Sequence, residues 1–123
     1  INNGERSETD CFINTVSNGR RYAGGFFLTP QAVANDGLLD VRSVRKIGLF
    51  RRLRILAMVP KGSHISHKSV NYYKTSHLEL EFPMRVPYHL DGELYFSDRF
   101  EIKVIPGALN VIYNPGGGHF FND

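Results

Sequence analysis

Asp91-Gly92-Glu93, set in VPYHLDGELYF with strand-forming residues on both arms, is the stretch best placed to do chemistry. Asp-Gly between such arms predicts a two-residue hairpin turn of type I′, whose central positions both need positive φ. Two carboxylates then stand at the tip of a rigid ribbon, as a plain solvated turn or as a working pair of acids. A second acidic glycine turn, Asp36-Gly37 in ANDGLLDV, favours the working pair. His89, two residues before Asp91, falls on the same face of a regular strand and is a candidate to orient that carboxylate. Other candidates are weaker. His64 and His67 are three apart with no third ligand, short of a zinc spacing, and read as exposed loop histidines. Cys11 lies in an apolar-flanked run with no nucleophile motif around it and reads as a core residue. As the single cysteine it excludes an internal disulfide framework and fits a reducing compartment.

The elements that must position these residues read mostly as strands. After a polar lead-in over the first ten residues, Cys11 to Val16 is β-prone and Ser17-Asn18-Gly19 is a turn. In RRYAGGFFLTP, Gly24-Gly25 interrupts an aromatic strand, as a bulge, a point of close backbone approach or a flexible loop. Gln31 to Asn35 has room for one helical turn, and Asp36-Gly37 turns the chain into Leu38, Leu39 and Val41. From Val44 the period changes. Val44, Ile47, Phe50, Leu53 and Leu56 recur every third residue, predicting an amphipathic helix that Pro60 and Gly62 stop. Arg45, Lys46, Arg51, Arg52 and Arg54 crowd its other surface, as a solvated face or as an attractant for anionic lipid headgroups. Leu78, Leu80 and Phe82 alternate with acids in a half-buried strand, and Pro83 and Pro87 bracket a strand start that cannot be fully paired, an edge or a crossing point between sheets. Beyond the hairpin, FEIKVIP is a strand, Pro106-Gly107 a turn, Leu109, Val111 and Tyr113 a last strand, and NPGGGHFFND a loose end. The fold class is mainly β, a two-layer antiparallel β-sandwich with one amphipathic helical excursion.

A chain of 123 residues fits one domain that buries roughly two thirds of its unfolded surface. Fifteen Lys and Arg against 12 acids leave a formal charge of +3, too small to argue for nucleic acid. No apolar run approaches the roughly 20 residues needed to span a bilayer, and no signal-peptide pattern opens the chain. With Ile1 rather than Met in front, the sequence reads as a piece of a larger or processed chain.

The motifs together resemble one family. Asn18, Gly19, Tyr22, Gly24, Gly25 and Phe26, then Pro30 and Ala32, then Asp36 to Val41, Asp91 to Glu93 and Ile102 to Ile112 follow the order and spacing of the C-terminal domain of the diacylglycerol kinase-like lipid kinases. Bacterial diacylglycerol and undecaprenol-type lipid kinases, sphingosine kinases and ceramide kinases make up that superfamily. The resemblance covers nearly the whole chain and implies residues 1–123 as a C-terminal β-sandwich domain. Its partner would be an N-terminal domain carrying a Gly-Gly-Asp-Gly-Thr nucleotide loop, which does not occur in these residues.

What the resemblance implies for the site is specific. Asp91 matches the general base that takes the proton from the lipid hydroxyl, and Glu93 the neighbouring acid that acts at the nucleotide and its metal. Asp36 matches a structural magnesium position, joined by main-chain carbonyls near Val33 and at Leu38; Asp40 reads as a strand-edge charge. The cofactors implied are Mg2+ and ATP as co-substrate. A lipid alcohol such as diacylglycerol, a membrane surface and the N-terminal kinase domain are the partners, with no nucleic acid. Such a protein is expected to be cytoplasmic and peripheral at the inner membrane face, and the isolated domain to be inactive. The alternative is a non-catalytic lipid- or membrane-binding β-sandwich. Closeness to nicotinamide dinucleotide kinases is disfavoured by the DGLLDV and PGAL runs.

Overall fold

The computed structural model of the chain describes residues 6–119 and Phe121. Its regular elements are strands β1 (Cys11–Ser17), β2 (Arg21–Tyr22), β3 (Phe26–Phe27) and β4 (Leu39–Arg45), helix α1 (Leu49–Met58), and strands β5 (Val70–Thr75), β6 (His77–Leu90) and β7 (Glu93–Lys103). They build three antiparallel sheets: β1-β4-β5, the short β2-β3 ribbon, and the long β6-β7 hairpin. The fold is thus mainly β with a single α-helix, as the sequence implies.

Strand β4 is central because both its edges are paired, and its run of Leu39, Val41 and Val44 is buried. Strand alternation and the register divide the sheet into two faces. One carries Asp40, Arg42 and Val44, with Ser17, Thr15 and Ile13 opposite on β1 and Lys74, Tyr72 and Val70 on β5. That face runs from apolar at Val44 to acidic at Asp40. Phe12 is the extra residue of a bulge in β1, where the register shifts between Cys11 and Ile13.

Several expectations need correction. The helix starts at Leu49 rather than at Val44, which stays in β4 because β1 and β5 pair it on both sides. Gly48, with extended backbone, separates strand from helix. The period-three stripe also faces the other way. Phe50 is 87% exposed, Leu49, Leu53 and Leu56 are more than half exposed, and Ile55 alone on the helix is buried. Pro60 and Gly62 do end it, in a 3-10 turn over Val59–Lys61 and a left-handed Gly62. Gln31 to Asn35 forms turns without a helix, closed by the Ala32 N–H donating to Thr29 O. Gly24-Gly25 is neither a bulge nor a close approach; with Ala23 it makes the turn joining β2 to β3, and a Cβ on either glycine would meet nothing described. Leu109, Val111 and Tyr113 form no strand and are exposed, because among the described residues no strand pairs with them.

Pro83 and Pro87 act only partly as expected: Pro87 is paired, and no strand starts between them in the continuous β6. Its ladder with β7 is irregular between Glu81 and Val86, across Pro83, and resumes with Val86 opposite Ser97 and Pro87 opposite Phe96. Cys11 is half-buried and free. Residues 6–10 are exposed, while residues 1–5 of the lead-in and residues 120, 122 and 123 of the C-terminal end lie outside the described residues.

Candidate active site

The β6-β7 ribbon closes on a two-residue turn, Leu90 pairing with Glu93 and leaving Asp91 and Gly92 between them. Asp91 has φ 47° and Gly92 φ 99°, the pair of positive angles that a type I′ turn requires. Both carboxylates are exposed at the tip, and every extensive contact of the ribbon is between its own two strands. Asp91 therefore meets an approaching group unhindered by its own domain.

Glu93 is held more firmly. Its Oε2 accepts a hydrogen bond from the Tyr95 hydroxyl, and that bond, first among the causes, raises the Tyr95 phenol above its ordinary range. Tyr95 in turn lies against Tyr88, its cross-strand partner, at 5.6 Å between ring centroids, and Tyr88 meets Phe100 edge-on at 4.9 Å. An aromatic row on one ribbon face thus fixes the direction of one glutamate oxygen. The other oxygen has no partner among the described residues and suits a hard cation. His89 does not join this arrangement: it pairs with Leu94, and no hydrogen bond or ion pair links it to Asp91 among the described residues.

Asp36 is elsewhere, in the turn before β4. Gly37 takes φ 73°, and the Leu38 N–H donates to Asp36 Oδ1 at 2.9 Å. Asp36 Oδ2 lies 2.7 Å from Lys74 Nζ, an ammonium that β5 delivers. Both oxygens of Asp36 thus already have donors, and a cation stands where magnesium was expected. The Leu38 N–H and the Lys74 ammonium compete with a divalent ion for those two oxygens. Among the described residues no group of three or more His, Cys, Asp or Glu could hold one.

Two further features escaped sequence reasoning. His64 is wholly buried rather than exposed, its Nε2 3.1 Å from Leu28 O and its Nδ1 without a partner. Burial, followed by the charge of Arg42, pushes its pKa below the ordinary 6.5. His67 is half-buried and its Nδ1 accepts the Ser69 N–H. No local pattern marks the burial of His64; only its place in the 3-10 turn Ser63–Ser66, packed against β5 and α1, does.

The second feature is a cavity of about 300 Å³ at the apolar end of the sheet face, within the range of small-ligand pockets. Phe12, Tyr22, Phe26, Val44 and Ile55 are among its walls, and Arg42 and Arg52 bring guanidinium groups. Arg42 donates from Nη2 to Thr15 Oγ1 at 2.9 Å, while its buried Nε has no partner. Desolvation lowers its pKa. Arg52 lies 4.0 Å over the Phe12 ring and donates from Nε to Ile47 O. The helix also sits in a run without acids: none occurs between Asp40 and Glu79, whereas nine of the 15 Lys and Arg do.

A mainly antiparallel β domain with a paired-acid hairpin tip is the class of protein this geometry defines. Residues 2–113 match the family described as the YegS C-terminal NAD kinase beta sandwich-like domain, and the chain belongs to that family. Among similar proteins, the "Probable lipid kinase YegS-like" of Shewanella frigidimarina is 29% identical over 86% of this chain and 34% of its own length. Its counterpart in Yersinia enterocolitica is 35% identical over 86% of this chain and 34% of its own. The "Diacylglycerol kinase" of Mycobacterium tuberculosis is 28% identical over 88% of this chain and 35% of its own. The chain spans about a third of the length of these relatives.

Proposed function

We propose that this chain is the substrate-side domain of an ATP-dependent lipid kinase, working with an N-terminal domain that binds most of the nucleotide. The observation that carries this reading is the exposed acid pair at the tip of the β6-β7 ribbon, on a chain of this family. In the proposed reaction the Asp91 carboxylate accepts the proton of a lipid hydroxyl as the hydroxyl oxygen attacks the terminal phosphorus of ATP and ADP leaves. Glu93, with one oxygen fixed by Tyr95 and the other open, would hold the magnesium that accompanies the nucleotide. Bound there, Mg2+ supplies charge neutralisation of the phosphates. The likeness to proteins named lipid kinase and diacylglycerol kinase supports a lipid alcohol such as diacylglycerol as the substrate class; the cavity walled by Phe12, Phe26 and Ile55, on the sheet that β4 centres rather than on the ribbon, suits an apolar group. A cytoplasmic enzyme peripheral at the inner membrane face follows from this reading. It is supported by the basic, apolar-faced helix, and no helix among the described residues is long and apolar enough to cross a membrane.

The test is direct. In the intact protein, supplied with Mg-ATP and diacylglycerol, Asp91→Asn should lower phosphatidic acid formation by roughly 10²- to 10⁴-fold, the usual contribution of a general base. Full turnover in that variant sinks the catalytic role. The second reading, a non-catalytic lipid-binding β-sandwich, is favoured by the same cavity and by the exposed apolar side chains of α1. It predicts vesicle binding that persists at high salt and is indifferent to nucleotide, with no phosphorylated lipid formed.

A further inference from the structure

The family resemblance places a structural magnesium at Asp36, yet the sheet places a lysine there. Lys74 is the direct cross-strand partner of Asp40 in the β4-β5 ladder, so the register alone brings its side chain to the acidic end of the face. Its Nζ lies 2.7 Å from Asp36 Oδ2 and 3.7 Å from Asp40 Oδ2. Asp40 is fully buried; its Oδ1 accepts the Tyr72 hydroxyl at 2.5 Å, and its Oδ2 has no hydrogen bond. One ammonium thus stands between two carboxylates that no other charged group reaches among the ion pairs described.

Magnesium at Asp36 would need an oxygen at roughly 2.0–2.1 Å and several retained waters in octahedral array. An ammonium at hydrogen-bonding distance from the same oxygen repels it. Displacing Lys74 would also leave the buried Asp40 carboxylate with only a phenol donor, and uncompensated buried charge is strongly destabilising. We propose that Lys74 is a tethered cation that takes the place of the structural metal, so that the DGLLDV turn of this protein is held closed without magnesium. The inference is independent of the role given to Asp91.

Mn2+ binding to the intact protein, followed by electron paramagnetic resonance without nucleotide, tests it together with thermal melting. The wild-type protein is expected to show no Mn2+ site that Asp36→Asn removes, and no melting shift that depends on Asp36 when EDTA replaces Mg2+. Lys74→Met should melt lower by roughly 4 °C or more, gain an Asp36-dependent Mn2+ site, and recover part of the loss in millimolar Mg2+. An Asp36-dependent Mn2+ site in the wild-type protein overturns the inference, whether or not the variant folds. So does a Lys74→Met protein that melts like the wild type and gains no site.

Discussion

Asp91 and Lys74 show how differently single residues disclose themselves. The turn at Asp91 is legible because its chemistry is local: aspartate and glycine accept positive φ, and two adjacent positions suffice to state the turn type. The partnership of Lys74 with Asp36 spans 38 positions and depends on the register of β4 against β5, which no short pattern reveals. His64 belongs to the same hidden class. Its folded pKa lies below 6.5, mainly through burial, so the unfolded chain binds more protons in the interval between the two values. The stability it confers is complete above pH 6.5 and lost as pH falls through the folded value. Melting followed from neutral to mildly acidic pH should show this fall, and His64→Gln should flatten it; an unchanged slope in the variant would assign the pH response to another group.

At the scale of elements, periodicity read alone misplaces boundaries that pairing decides. Val44 and Ile47 extend the three-residue stripe of α1 back to a residue held in a ladder on both edges, and only Gly48 marks the true break. Leu109, Val111 and Tyr113 alternate like a strand, but alternation forms no strand unless another edge accepts its hydrogen bonds. Glycine at the far end of the helix is legible for a stronger reason. Gly62 has φ 69°, and a Cβ there would sit 3.0 Å from Pro30 Cβ. Gly62→Ala should therefore cost about 1–2 kcal/mol from the left-handed backbone alone, more if Pro30 cannot give way. Denaturant titration will measure it, and a loss well under that range would mean that the loop relaxes.

For the whole molecule, mainly β architecture and the acidic tip follow from the sequence, whereas the distribution of charge emerges only on counting by region. The nine cations between Asp40 and Glu79 lie without an intervening acid, and Arg51, Arg52 and Arg54 among them stand on a helix whose Phe50 and Leu53 face outward. Attachment to vesicles rich in anionic lipid should accordingly combine both contributions. Arg51→Ala and Arg54→Ala should each weaken it by about 1 kcal/mol, near fivefold, at low salt. Phe50→Ser should weaken it at every salt concentration, because apolar insertion is lost while the charge is unchanged. Binding unaffected by all three substitutions would leave α1 free to meet another part of the protein instead.

The unsupported hairpin carries a mechanical consequence. Fourteen residues of β6 at about 3.3 Å each make a lever of roughly 45 Å, with irregular pairing partway along at Glu81 to Val86. Pivoting such an arm by about 10° at its root would sweep Asp91 sideways by roughly 8 Å, far more than proton transfer tolerates. Accuracy at the far end must come from whatever surface the acids are pressed against, so the same arm is imprecise while free and exact only when clamped.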